Sequence, residues 1–166
     1  MCFSKKIRIV ILKRIIQQLF KNSRSSDNGI FFTEIEQILG FKPLKIEIYE
    51  KAFIHRSTNK LDENGNAISY ERLEFLGDAM LSSVIAAHLF KKVPTGDEGY
   101  LTKMRSKIVS REHLNELGRD LNLIQFIKSK VPSNHFGENI HGNIFEALIG
   151  AIYLDRGYLF CAKFIQ

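Results

Sequence analysis

Three acids, Glu71, Glu74 and Asp78, stand in the stretch ERLEFLGDAML, residues 71–81, among apolar residues and a single glycine. A helix turns about 100° per residue, so the three fall within about 60° of one another, on one narrow stripe. Leu73, Phe75, Leu76, Ala79 and Met80 fill the remaining directions. A solvated charged face normally mixes lysine with glutamate, because like charges at these spacings repel. Arg72 is the nearby base, and it lies off the stripe, so the cluster is costly unless something positive sits over it. A second acid, Glu146 in GNIFEALIG, is flanked by Phe145, Ala147, Leu148 and Ile149. That helix is apolar nearly all round and reads as buried, where a carboxylate is rarely left unpaired. Asn143, one turn earlier, shares its face. Two buried helices that each bring oxygen atoms to one face are an arrangement used by hard divalent cations; Mg²⁺ takes carboxylate and amide oxygens plus waters. Each acid taken singly also has a structural reading, Glu71 paired with an arginine or Glu146 capping a neighbouring helix. Taken together, the pattern favours a metal site.

These residues need helices to carry them, and the periodicity is helical almost throughout. The basic, apolar start KKIRIVILKRIIQQLF reads as an amphipathic helix that packs on the domain, and KNSRSSDNG reads as a polar linker. The expected organisation is an N-terminal helix and linker over residues 1–30 and one domain over 31–166. FFTEIEQILG is a short helix stopped at Gly40, and LKIEIYEKAFIH is another, begun after Pro43. STNKLDENGNAIS is a loop, followed by helix from about Tyr70 to Lys92. Thr95 or Asp97 is expected to cap the helix carrying YLTKMRSKIV, and Ser110 the one carrying REHLNELGRDLNL. KSKVPSNHFGENIHG is irregular, NIFEALIGAIYLD is a strongly apolar helix ending near Gly157, and LFCAKFIQ is helical to the end. No β-alternation, internal repeat or low-complexity segment is evident. The fold class is all-α.

The 166 residues suffice for one domain with a sizeable core, and 45% are apolar. A net charge of +6 favours a polyanionic partner, nucleic acid or an anionic membrane surface. Cys2 and Cys161 form no disulfide framework or metal spacing, so a reducing cytoplasm is the expected compartment. Arg8, Lys13 and Arg14 break the N-terminal apolar run, so it does not read as a secretory signal. No segment has the roughly 18 unbroken apolar residues of a membrane span.

ERLEFLGDAML resembles the signature helix of the ribonuclease III family, and NIFEALIGAIYLDRG resembles its second metal-binding helix. The likeness extends through YEKAFIHRS and DEGYLTKMRSKIVSREHL and covers roughly residues 35–160. It implies an all-α endonuclease domain that forms a homodimer and cuts double-stranded RNA with Mg²⁺, or Mn²⁺ in its place, leaving 5′-phosphates and short 3′ overhangs. Carried over by position, Glu74, Asp78 and Glu146 match metal-binding acids, Glu71 and Glu98 match acids of the cleft, and Phe75 matches an apolar residue inserted into the partner subunit. Asn143 stands where the family usually has aspartate; its amide oxygen can coordinate Mg²⁺ but brings no charge. Bacterial members normally continue into a double-stranded RNA-binding domain, so a longer chain is expected beyond CAKFIQ.

RNA contacts are expected from Lys103, Arg105, Ser106, Lys107 and Arg111, in the segment that resembles the family's RNA-facing helix, with His55, Arg56 and Ser57 as further contacts. A solvated surface is the plainer reading of that basic segment. Duplex RNA is recognised through shape, phosphates and 2′-hydroxyls, so affinity is expected to fall steeply with salt. Two alternatives stay open. One is an inactive RNA-binding module of the same fold, favoured by Asn143. The other is an all-α nucleotide pyrophosphatase, which also arranges acids on helices around Mg²⁺.

Overall fold

The computed structural model describes residues 27–166. Helix α1, Asp27–Leu39, ends at Gly40, whose φ of 72° lets the chain leave the helix and whose N–H donates to the Glu36 carbonyl. This helix already runs at Asp27, so the stretch expected as linker up to residue 30 is helical at its end. The basic helix expected near the N-terminus lies outside the described residues.

Residues 45–165 form a compact unit of their own. It contains α2 (Ile46–Lys51), α3 (Glu71–Lys92), α4 (Glu98–Ile108), α5 (Arg111–Asp120), α6 (Ile140–Arg156) and α7 (Tyr158–Ile165). Three short 3₁₀ turns, Arg56–Thr58, Leu123–Phe126 and Ser133–His135, lie in the connections. No strand forms among the described residues, only isolated bridges Ile54–Lys128 and Leu61–Ala67. The all-α expectation holds. Residues read as helix down to His55 leave it at Lys51, where the chain turns to pair with residue 128.

Capping explains the starts of α4 and α5. The Asp97 carboxylate accepts from the Tyr100 N–H at 2.7 Å to begin α4, and the Ser110 hydroxyl accepts from the His113 N–H at 3.3 Å to begin α5. Helix α6 is capped in trans. Its Gly142 N–H donates to Oδ1 of buried Asn115 on α5 at 2.8 Å, and Asn115 in turn donates to Asn139. The start of α6 is thereby locked to α5.

The central packing is α3 against α6. Helix α6 is buried continuously from Ile144 to Ile152, with Val84, Leu81 and Leu73 of α3 also in the core. Two glycines set the crossing. A side chain at Gly77 would run into the backbone carbonyl of Glu146, and one at Gly150 into the carbonyl of Leu73. The helices therefore meet backbone to backbone. Among the described residues α3 is also the helix long and apolar enough, at mean hydropathy 1.4, to cross a membrane, and a third of that stretch is buried inside the protein.

Candidate functional site

The glycine crossing sets Glu74 and Asp78, one residue row on α3, beside Glu146 on α6. Glu146 is buried, with 8% of its surface exposed. Burial, and then the charges of Asp78 and Glu74, push its carboxyl up to about 7, against the pull of Arg111. Glu74 is half-buried, and burial raises it too; Arg111 opposes this, while Glu71 and Asp78 add to it. Carboxylates on two helices thus feel one another's charge in a shared space. Among the described residues no three acidic, histidine or cysteine side chains stand close enough to ligate one ion as they are.

Arg111, the first residue of α5, reaches the same space. Its Nη1 donates to Oδ1 of Asn143 at 3.5 Å. The Asn143 amide also bonds the hydroxyl of buried Tyr70, the residue that precedes α3. Asn143 therefore stands between Tyr70 and Arg111, beside the acids. Sequence reasoning placed Arg111 with the basic residues of the preceding helix and did not single out Tyr70, Gly77 or Gly150. Two glycines inside apolar helices are a signal of close backbone approach that was available.

The remaining expected residues divide between the site and other surfaces. Glu71 is exposed at the start of α3, 3.7 Å from Arg56 Nη1, and accepts from the Ser69 hydroxyl at 3.2 Å. Glu98 lies elsewhere, at the start of α4, where it accepts from Thr102 at 2.9 Å. There it lines a cavity of about 610 Å³ with Leu89, Phe90, Leu101 and Arg105. Phe75 points out from α3 with 81% of its surface exposed. Lys103, Ser106 and Lys107 are exposed on α4, and the Ser106 hydroxyl donates to the Thr102 carbonyl.

His55, expected as an RNA contact, is buried, with 8% of its surface exposed. Its Nδ1 is engaged with the Ser57 hydroxyl at 2.8 Å, and Ser57 meets Ser129 Oγ at 3.0 Å and accepts from the Lys130 N–H. The ring packs against Phe136 and Tyr70. His55 and Ser57 therefore pin the 127–131 loop, leaving Arg56 as the exposed member of the three. Burial and the nearby Arg56 charge lower the His55 pKa.

A family model described as ribonuclease-III-like matches residues 45–166. The chain belongs to that family. It is 71% identical over 151 residues to ribonuclease 3 of Flavobacterium psychrophilum, covering 91% of this chain and 61% of that one. Ribonuclease 3 of Zunongwangia profunda is 69% identical over 144 residues, covering 87% and 59%. The chain thus spans about three-fifths of the length of these relatives. Among solved structures, a nuclease domain of ribonuclease III from Campylobacter jejuni, described as flexible in a region involved in dimer formation, superposes with a TM-score of 0.68 at 32% identity, covering 79% of this chain and 90% of that one.

Proposed function

We propose that this chain is the nuclease domain of an endoribonuclease that hydrolyses phosphodiesters in double-stranded RNA with Mg²⁺, or Mn²⁺ in its place, leaving 5′-phosphates and 3′ overhangs. The observation that carries this reading is the electrostatic coupling of Glu146 on α6 to Glu74 and Asp78 on α3 across a glycine-lined crossing. The donors are all oxygen atoms, clustered acids raise one another's proton affinity, and the surroundings are partly buried, which suits a hard divalent ion. Glu74, Asp78 and Glu146 would hold it, with Asn143 at the edge. When bound, Mg²⁺ supplies an acidified, oriented water and neutralises charge on the phosphate.

The chain's own groups do the positioning. Glu146 is buried, Glu74 half-buried and Asp78 exposed, so RNA would approach from the Asp78 side. Exposed Lys103 and Lys107 on α4 are suited to phosphates that flank the cut. The exposed Phe75 favours a homodimer, because a two-fold axis would both cover that ring and set a second cleft on the other strand. The relatives' name and the C. jejuni domain's dimer region support this reading. A cytoplasmic location follows from the same proposal, since RNA processing takes place there.

A second reading, an RNA-binding module that does not cut, is favoured by one observation: Asn143 Oδ1 is turned to Arg111. Incubation with long duplex RNA and Mg²⁺ or Mn²⁺ separates the two. The nuclease reading expects cleavage that Glu146→Gln abolishes; binding without any cleavage supports the module instead.

A further inference from the structure

We propose that neutral His55 is a positioning residue: it holds the segment entering α6 against the residue entering α3, and protonation of its ring unfastens that segment at residues 129–131. The consequence for cleavage rests on the nuclease reading above; the fastening itself does not. The buried ring of His55 lies between Tyr70, at 6.1 Å between centroids, and Phe136, at 5.2 Å. Tyr70 immediately precedes α3, and its carbonyl accepts from the Glu74 N–H at 2.9 Å. Phe136 lies just ahead of α6, in a segment that ends at Asn139, whose side chain accepts from Asn115 of α5 at 3.0 Å. His55 therefore touches the approaches to both helices that carry the acids.

The ring can do this in one charge state. Its Nδ1 accepts from the Ser57 N–H at 3.2 Å, so the neutral ring carries its proton on Nε2. Ser57 Oγ, 2.8 Å from Nδ1, accepts in turn from the Lys130 N–H at 3.1 Å and lies 3.0 Å from Ser129 Oγ. Ser129 Oγ closes a turn on the N–H and carbonyl of Val131. A proton on Nδ1 would meet the Ser57 N–H donor to donor, and a buried donor without an acceptor is costly. Ser57 must then move, and the Lys130 anchor moves with it. Lys128 is fastened separately, by backbone hydrogen bonds to Phe53 and His55 that do not involve the ring, and marks the hinge.

The surroundings set the direction of the response. Burial, and then Arg56 on the same turn, disfavour the imidazolium, while Glu71 at the start of α3 favours it. The Tyr70 phenol stays neutral. The loop adds exposed Lys130 and Lys128, whose Nζ is 3.8 Å from Glu50, and the segment of Phe136 adds exposed His135 and Glu138. The ring therefore stays neutral to below the ordinary imidazole value of 6.5, and the segment is released on the acid side.

Nuclear magnetic resonance on the whole chain tests the fastening without RNA or metal. The His55 ring is titrated through its Cε1–H shift, and amide hydrogen exchange, corrected for the intrinsic rate, is followed over the same pH range. As His55 gains its proton, protection at the Ser57 and Lys130 amides should fall by about fivefold or more, the scale of one lost hydrogen bond, while Lys128 keeps its protection. In His55→Asn, whose side-chain oxygen can accept in place of Nδ1 but does not titrate, that fall should vanish; the wild-type titration decides the matter if this variant does not fold. Unchanged protection at Ser57 and Lys130 through the His55 midpoint overturns the proposal, as does an equal loss at Lys128, which reports general unfolding. With duplex RNA and Mg²⁺, the ratio of wild-type to His55→Asn kcat should decline below the His55 midpoint, because titration of the other groups is common to both proteins. A constant ratio overturns the positioning role in cleavage. Absence of cleavage by the wild type, with the exchange result intact, defeats the nuclease reading and leaves the fastening supported.

Discussion

Replacing Glu146 with glutamine should stabilise the metal-stripped protein at neutral pH. The Glu146 carboxyl titrates at about 7 in the fold against an ordinary value of 4.5. Between those values the folded state holds a proton that the unfolded chain has released, so stability falls as pH rises through that window. Each tenfold change in proton affinity is worth about 1.4 kcal/mol, which makes the full penalty about 3 kcal/mol above pH 7. Glu146 is buried, so solvent screening reduces this little; local relaxation brings the expected gain from Glu146→Gln to about 2–3 kcal/mol. For a chain of this size that is a Tm rise of roughly 5–10 °C. The assay is thermal unfolding in EDTA at about pH 7.5 and again at about pH 4, where the carboxyl is protonated in both states and the difference should shrink toward zero. Added Mg²⁺ should stabilise the wild type more than the variant. A glutamine variant that is less stable than the wild type by the same amount at both pH values would refute the reasoning, since the Glu146 charge would then not be what costs the fold stability.

Gly77→Ala should destabilise by about 1–3 kcal/mol or more, because its methyl meets the Glu146 backbone, whereas Gly137→Ala, with open space around it, should leave the melting curve unchanged. Asp97→Ala should cost about 1 kcal/mol by removing the cap of α4, read from urea unfolding. Phe75→Ala should shift sedimentation from dimer toward monomer without lowering the melting temperature of dilute protein, as the ring is exposed in a single chain. His55 and His141 have lowered pKa values through burial, so their contribution to stability is present above about pH 6.5 and is lost as pH falls below it. Replacing His55 with glutamine should flatten that part of the pH–stability curve.

The acid stripe of α3 and the apolar surround of Glu146 were legible because helical spacing and hydropathy are local properties. The Asp97 and Ser110 caps were legible for the same reason: a short polar side chain sits just ahead of a periodic segment. The start of α1 was not, since Asp27, Asn28 and Gly29 look like turn residues until a following apolar run recruits them. The burial of His55 and its serine network depends on the 127–131 loop, more than seventy residues away, which no spacing rule connects to it. The same holds for Arg111. Its neighbours in sequence are the basic residues of α4, but the Ser110 cap starts a new helix there and turns the guanidinium toward Asn143.

The central claim is that Glu74 and Asp78 on one helix and Glu146 on another grip a single divalent ion. Direct titration of Mn²⁺ into the wild type, Glu74→Gln and Glu146→Gln, followed by electron paramagnetic resonance, tests it most directly. The account predicts one saturable site in the wild type that each substitution, from either helix, weakens by at least about tenfold. Equal Mn²⁺ affinity in all three folded proteins would contradict it.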